Sequence, residues 1–120
     1  MSTNNQENGY SRMRIHASST DKLGSKLFYQ YIVELAREKG ISGATVFRGI
    51  MGYGSSSTIS SSRFWELTEK LPVVIDLVDL TPVLENFYTE IKAAIMEMPK
   101  GCLVVIEPVR VLLQKKGGEN

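Results

Sequence analysis

Chemistry in this chain is most readily placed between Arg48 and Ser62, where the sequence runs R-G-I-M-G-Y-G-S-S-S-T-I-S-S-S. Gly49, Gly52 and Gly54 come first, followed by the hydroxyls of Ser55, Ser56 and Ser57. Glycine loses more entropy on ordering than any other residue, so this loop makes sense where backbone amides must be exposed or tight turns made. Such amides, adaptable hydroxyls and the adjacent Arg48 guanidinium together form a local site for an anion such as a nucleotide phosphate. The competing reading is a solvated hairpin connection, because Gly/Ser-rich segments are flexible by default.

Other chemistries fit less well. The glycines read G-x-x-G-x-G, the reverse of a dinucleotide fingerprint, and no G-K-S or G-K-T follows them. His16 is the only histidine and lies inside a strand pattern, where a sheet-face or interface role is the simpler reading than a nucleophilic relay. Asp76 and Asp79 are three apart on a strand and face opposite sides, which makes them poor paired carboxylates or metal ligands. Cys102 is the single cysteine, so an intrachain disulfide is impossible and a zinc cluster unsupported. No catalytic or metal site is expected, and the chain reads as a non-enzyme.

The elements that must position the loop follow from periodicity. Arg12–Ser18 alternates with Met13, Ile15 and Ala17 on one face, the pattern of a half-buried strand. Residues 24–39 place Leu27, Phe28, Tyr31, Ile32, Leu35 and Ala36 at helical spacing, with Gly40 as the stop. Gly43–Arg48 resumes strand character and leads into the glycine loop. Leu71–Asp79 is a β-branched strand with its proline near the start. Thr81 as cap and Pro82 as first helical residue open a helix running to Pro99. Cys102–Ile106 is the last strand, with Val109–Leu113 as an edge extension. Arg63–Lys70 is left between short helix and irregular strand, with Trp65, Phe64 and Leu67 anchoring the loop's return.

The order β-α-β-β-α-β predicts an α+β, ferredoxin-like split βαβ fold: a four-stranded antiparallel sheet with two helices on one face. One domain spans residues 12–113, between polar tails at 1–11 and 114–120 expected to be disordered. Val74, Val78, Leu103 and Val105 make the second sheet face apolar as well, which predicts burial against further copies of the chain. Fourteen basic and thirteen acidic residues leave a net charge of +1, so no general field favours nucleic acid. The central strands also lack the aromatics of an RNA-recognition sheet. The N-terminus has no apolar signal core, and the chain reads as cytoplasmic.

Three stretches together resemble the PII-like family filed as domain of unknown function 190. They are D-K-x-G followed by Y-x-x-I-V-E (Asp21, Lys22, Gly24; Tyr29, Ile32, Val33, Glu34), then Gly43–Ser57, then Leu71–Asp79. That resemblance implies a PII-like homotrimer with inward-facing sheets. It also implies adenine nucleotide (AMP, ADP or ATP) as a regulatory ligand in clefts between subunits near the loop base. The opposite wall of such a cleft would be the turn at Pro99, Lys100 and Gly101, with Lys100 as a mobile phosphate partner. The loop at 50–62 would report to a protein partner, of which a membrane transporter or channel is the class expected.

The chain departs from the family pattern at Thr58 and Ser60, where arginine and histidine are expected, and at Ser19, where an acidic residue is common. These departures put the ligand's identity in question. The alternative is a CutA-like structural or metal-tolerance trimer without nucleotide. A third reading, an acylphosphatase-like hydrolase, is disfavoured because no arginine-bearing glycine turn follows the first strand.

Overall fold

The computed structural model describes residues 9–54, 60–61 and 70–118. Its main sheet contains β1 (Tyr10–Ser18), β4 (Ala44–Arg48), β7 (Pro72–Leu80) and β8 (Leu103–Val109) in the order β4-β7-β1-β8, every neighbour antiparallel. Helix α1 (Phe28–Glu38) links β1 to β4, and α2 (Thr81–Glu97) links β7 to β8. Two short hairpins complete the described chain: β2 (Lys22–Leu23) with β3 (Lys26–Leu27), and β5 (Met51–Gly52) with β6 (Ser60–Ser61). This is the split βαβ plan expected from the element order.

Period-two alternation decides which side of the sheet the helices cover. Met13 and Ile15 of β1 and Val73, Ile75 and Leu77 of β7 share one parity and are buried. They meet Phe28, Ile32 and Ala36 from α1 and Leu84, Phe87 and Ile91 from α2, the residues that recur every three or four positions along each helix. Each large aliphatic side chain in that layer contributes about 1.5–3 kcal/mol through burial.

Local chemistry terminates and joins these elements. At the end of α1, Gly40 takes φ +83°, its amide donates to the Arg37 carbonyl, and the Ile41 amide donates to Ala36. That pair of bonds is a Schellman stop with Ile41 tucked into the core, as the glycine's position implied. The expected cap at α2 is different. Leu80 holds the cap position, and Pro82 lies in the first turn. The Thr81 hydroxyl instead lies 2.6 Å from Ser11 Oγ and 3.2 Å from the Gly9 carbonyl, tying the helix start to the beginning of β1.

Boundaries move by a few residues. β1 begins at Tyr10 rather than Arg12, because Tyr10 and Ser11 pair with both Leu80–Asp79 and Val109–Pro108 and so lie inside the sheet. α1 begins at Phe28 rather than residue 24, because Gly24 at φ +62° turns the β2–β3 hairpin. The last strand spans Leu103–Val109, and Arg110–Gly118 has no regular structure, so the extension to Leu113 does not form as a strand here. Most of the 63–70 stretch lies outside the described residues, including Phe64, Trp65 and Leu67.

The sheet's other face is open and mixed rather than uniformly apolar. Cross-strand register places Phe47 beside Val74, and Leu103 beside His16, while Arg12, Arg14 and Asp76 occupy the centre. Asp76 Oδ1 lies 3.1 Å from Arg12 Nε and Oδ2 lies 4.0 Å from Arg14 Nε. Asp79, of the opposite parity, accepts from the amides of Leu80 and Ser42 and so fixes the turn that enters β4.

Candidate functional site: a cleft at the base of the glycine loop

Antiparallel order brings four chain crossings to one end of the sheet: the exit of β4, the entry of β7, the exit of β1 and the entry of β8. Between them lies a cleft of about 540 Å³. That volume is in the range of about 300–1,000 Å³ usual for small-molecule sites. Met51–Gly54 form one wall and Lys100–Leu103 another, while His16, Ser18 and Asp21 follow the end of β1, and Lys70, Pro72 and Val73 the start of β7.

Pro72 is the hinge pin of the loop wall. The Gly49 amide donates to the Pro72 carbonyl at 2.7 Å. A Cβ at Gly49 would stand 2.9 Å from Pro72 Cγ, and one at Gly52 would stand 3.3 Å from it. Two of the three loop glycines therefore permit close packing on a proline ring, a requirement unrelated to anion binding. Next to it, Ser19 is buried and clamps Leu71 from both sides, its amide donating to the Leu71 carbonyl at 2.7 Å and its Oγ accepting from the Leu71 amide at 2.9 Å. The serine that departs from the family pattern thus fastens the β7 entry.

Asp21 is likewise buried and structural in part. Its Oδ2 accepts from the Ser18 amide at 3.0 Å, and its carbonyl accepts from the Phe28 amide at 2.7 Å, which positions the start of α1. Burial, and secondarily the negative charge of Asp21, push the Cys102 thiol up to about 11. At neutral pH the cleft wall therefore presents a protonated thiol, not a thiolate nucleophile.

Of the residues singled out from sequence, Gly52, Gly54, Lys100 and Gly101 come together around this cleft. Arg48 does not line it: the residue ends β4 opposite Val73 and is exposed. Gly49 acts one step back, through Pro72. Ser55 and Ser56, with Ser57 and Thr58, lie outside the described residues. Sequence reasoning missed Lys70, which adds a second ammonium group to the lining, and gave Asp21 no role in the site. Lys70 carries no motif that would have marked it. Among the described residues, no group of His, Cys, Asp and Glu side chains is arranged to hold a metal ion, and no helix is long and apolar enough to cross a membrane.

Four antiparallel strands in this order, two helices on one face and a glycine loop between the second and third long strands define a ferredoxin-like α+β protein. Solved structures agree on the fold. A nitrogen regulatory PII-like protein, CPII of Thiomonas intermedia K12, described as bound to ADP, AMP and bicarbonate, matches with TM-score 0.59 at 12% identity over 83% of this chain and 87% of its own. The divalent ion tolerance protein CutA1 of Ehrlichia chaffeensis matches with TM-score 0.53 at 15% identity over 90% of this chain and 86% of its own.

The chain belongs to the DUF190 family, described as "Uncharacterized ACR", whose model matches residues 10–111. A UPF0166 protein of Aquifex aeolicus is 36% identical over 100 residues, 83% of this chain and 90% of the relative. Another, from Methanocaldococcus jannaschii, is 36% identical over 84 residues, 67% of this chain and 77% of the relative.

Proposed function

We propose that this protein is a non-enzymatic, cytoplasmic PII-like signalling trimer. In this reading it binds an adenine nucleotide at the base of the glycine loop and regulates a protein partner, of the transporter or channel class, through residues 50–62. The observation that carries the reading is the cleft itself, in which Gly52 and Gly54 stand across from Lys100 and Gly101, with Lys70 alongside. Two ammonium groups suit a polyanionic phosphate, and glycine backbone leaves amides accessible to it. Ala17, Pro72, Val73 and Leu103 supply apolar lining for a base. The structural neighbour described with ADP and AMP supports the ligand class by analogy of fold.

In this reading Lys70 joins Lys100 at the phosphate, and Arg48, which is exposed and outside the cleft lining, takes a partner-facing role. Ligand binding would order the loop that begins at Gly49 and change the surface it shows. The test is a titration of the purified chain with AMP, ADP and ATP by calorimetry, beside Lys100→Ala. Saturable binding that weakens in the variant supports the proposal. No binding by any of the three overturns it and leaves the CutA-like structural reading.

A further inference from the structure

Among the described residues three polar side chains are buried: those of Ser11, Ser19 and Asp21. Two are spent inside the fold, Ser11 on Thr81 and Ser19 on Leu71. Asp21 is spent only in part. At 6% exposure its Oδ2 accepts from the Ser18 amide at 3.0 Å. Its Oδ1 takes no hydrogen bond, and the carboxylate no ion pair, among the described residues. No described side-chain oxygen is shut away from solvent without a partner, so Oδ1 opens to a surface, and the surface Asp21 lines is the cleft.

Burying a carboxylate unpaired is costly, and one oxygen left open in a cavity is an exception that a ligand explains. The group is also held still. The Asp21 amide donates to the Ser18 carbonyl at 3.1 Å while Oδ2 takes the Ser18 amide, and the Asp21 carbonyl takes the Phe28 amide. Turn and helix start together fix the direction of Oδ1, so this acceptor is ordered before any ligand arrives.

Depth sorts the charges of the cleft. Asp21 lies at its buried end, Lys70 is half-buried, and Lys100 is exposed at the rim. An ionised carboxylate is acceptor-only and repels phosphate, so it has to meet a hydrogen-bond donor. A ligand that matches both ends is anionic at the rim and bears a donor at depth. We propose that Asp21 Oδ1 accepts a hydrogen bond from the bound nucleotide, from its sugar hydroxyls or the amino group of its base, and thereby sets which nucleotide the cleft takes. A carboxylate on ribose hydroxyls is a recurring solution to the same problem. The assignment rests on the nucleotide reading above and adds to it a residue that determines specificity.

Calorimetric titration of the native chain and Asp21→Asn tests it with ADP, 2′-deoxy-ADP, 3′-deoxy-ADP and the diphosphate of purine riboside, which lacks the amino group. Asparagine keeps a carbonyl for the Ser18 amide, turns a donor towards the ligand and removes a negative charge. Charge alone would tighten the binding of an anion, whereas loss of the acceptor weakens it, so the two roles have opposite signs. The expected result is ADP binding weakened at least about tenfold by Asp21→Asn. One analogue should bind the native chain about as weakly, with no further loss in the variant, and which one it is names the donor. Binding of ADP by Asp21→Asn as tight as native, or tighter, overturns the assignment and leaves the nucleotide reading standing. So does a native chain that binds all three analogues as it binds ADP, a result that needs no variant to fold. If the native chain binds no ADP this assignment falls, and the nucleotide reading falls with it unless AMP or ATP binds.

Discussion

Gly49 and Pro72 are locked together at the mouth of the loop: the glycine amide donates to the proline carbonyl at 2.7 Å, and a methyl group on Gly49 would lie 2.9 Å from the ring's Cγ. Gly49→Ala must displace either the ring or the loop backbone. We expect a loss of about 1–3 kcal/mol, as for other overpacking substitutions. Gly52→Ala, with 3.3 Å to the same atom, should lose less. Urea denaturation checks both, and equal stability of native chain and Gly49→Ala would contradict the packing role.

Lys100 and Lys70 should carry the affinity for a phosphate ligand. Removing a charge-assisted hydrogen bond typically loses about 1.5–3 kcal/mol, or roughly 10- to 150-fold in dissociation constant. Calorimetric titration of Lys100→Ala and Lys70→Ala with ADP should show losses of that order. Arg48→Ala should bind almost as the native chain does, since Arg48 lies outside the lining. The reverse ranking would return the phosphate site to Arg48.

Cys102 should be slow to react. A thiol raised from 9.0 to about 11 carries roughly a hundredfold less thiolate than an ordinary one at any pH well below 9. Iodoacetamide alkylation of the native protein should therefore rise with pH towards an inflection near 11, and reach ordinary rates in denaturant. The same shift has a sign for stability. The folded state holds the proton more tightly, so the contribution is fully present below pH 9 and is lost as pH rises towards 11.

Glu34 gives the acid-side counterpart. Hydrogen bonds from Lys26 at 2.6 Å and Gln30 at 2.9 Å hold its carboxyl below the usual carboxylate value. Its contribution is present above the unfolded value of 4.5 and is lost as pH falls through the lowered folded value. An NMR titration should show Lys26→Ala moving the Glu34 midpoint upward, and an unmoved midpoint would remove Lys26 as the cause.

Gly40 tests a feature visible in both sequence and structure. At φ +83° it sits in left-handed backbone at the end of α1. Gly40→Ala should cost about 1 kcal/mol, and Gly40→Asn less, because asparagine tolerates that region better. Thermal melts of the two variants give the comparison.

Much of this architecture is legible from local pattern, because the signals are local in origin. Alternation along Arg12–Ser18, the β-branched run of Leu71–Asp79, helical spacing along α1 and α2, and Gly40 as a stop each depend on a few neighbouring residues. Element order then restricts the topology to the split βαβ plan. The family resemblance came from the same source, a run of residues read in order. The errors lay where a residue's partner is far away in sequence. Thr81 looks like a cap until Ser11 and Gly9 are beside it. Ser19 reads only as a departure from the family pattern until Leu71, far along the chain, bonds to its amide and hydroxyl.

By itself, the sequence determined the types and order of the main elements, the buried face of the first strand and the presence of a glycine loop at a strand exit. All of these follow from backbone periodicity and the conformational limits of single residues. Only the tertiary structure decided which residues meet at the cleft. It admitted Lys70, set Arg48 outside, bonded the Gly49 amide to the Pro72 carbonyl and brought both Gly49 and Gly52 against the Pro72 ring. Those outcomes depend on how antiparallel strands register across the sheet, a relationship between segments far apart along the chain.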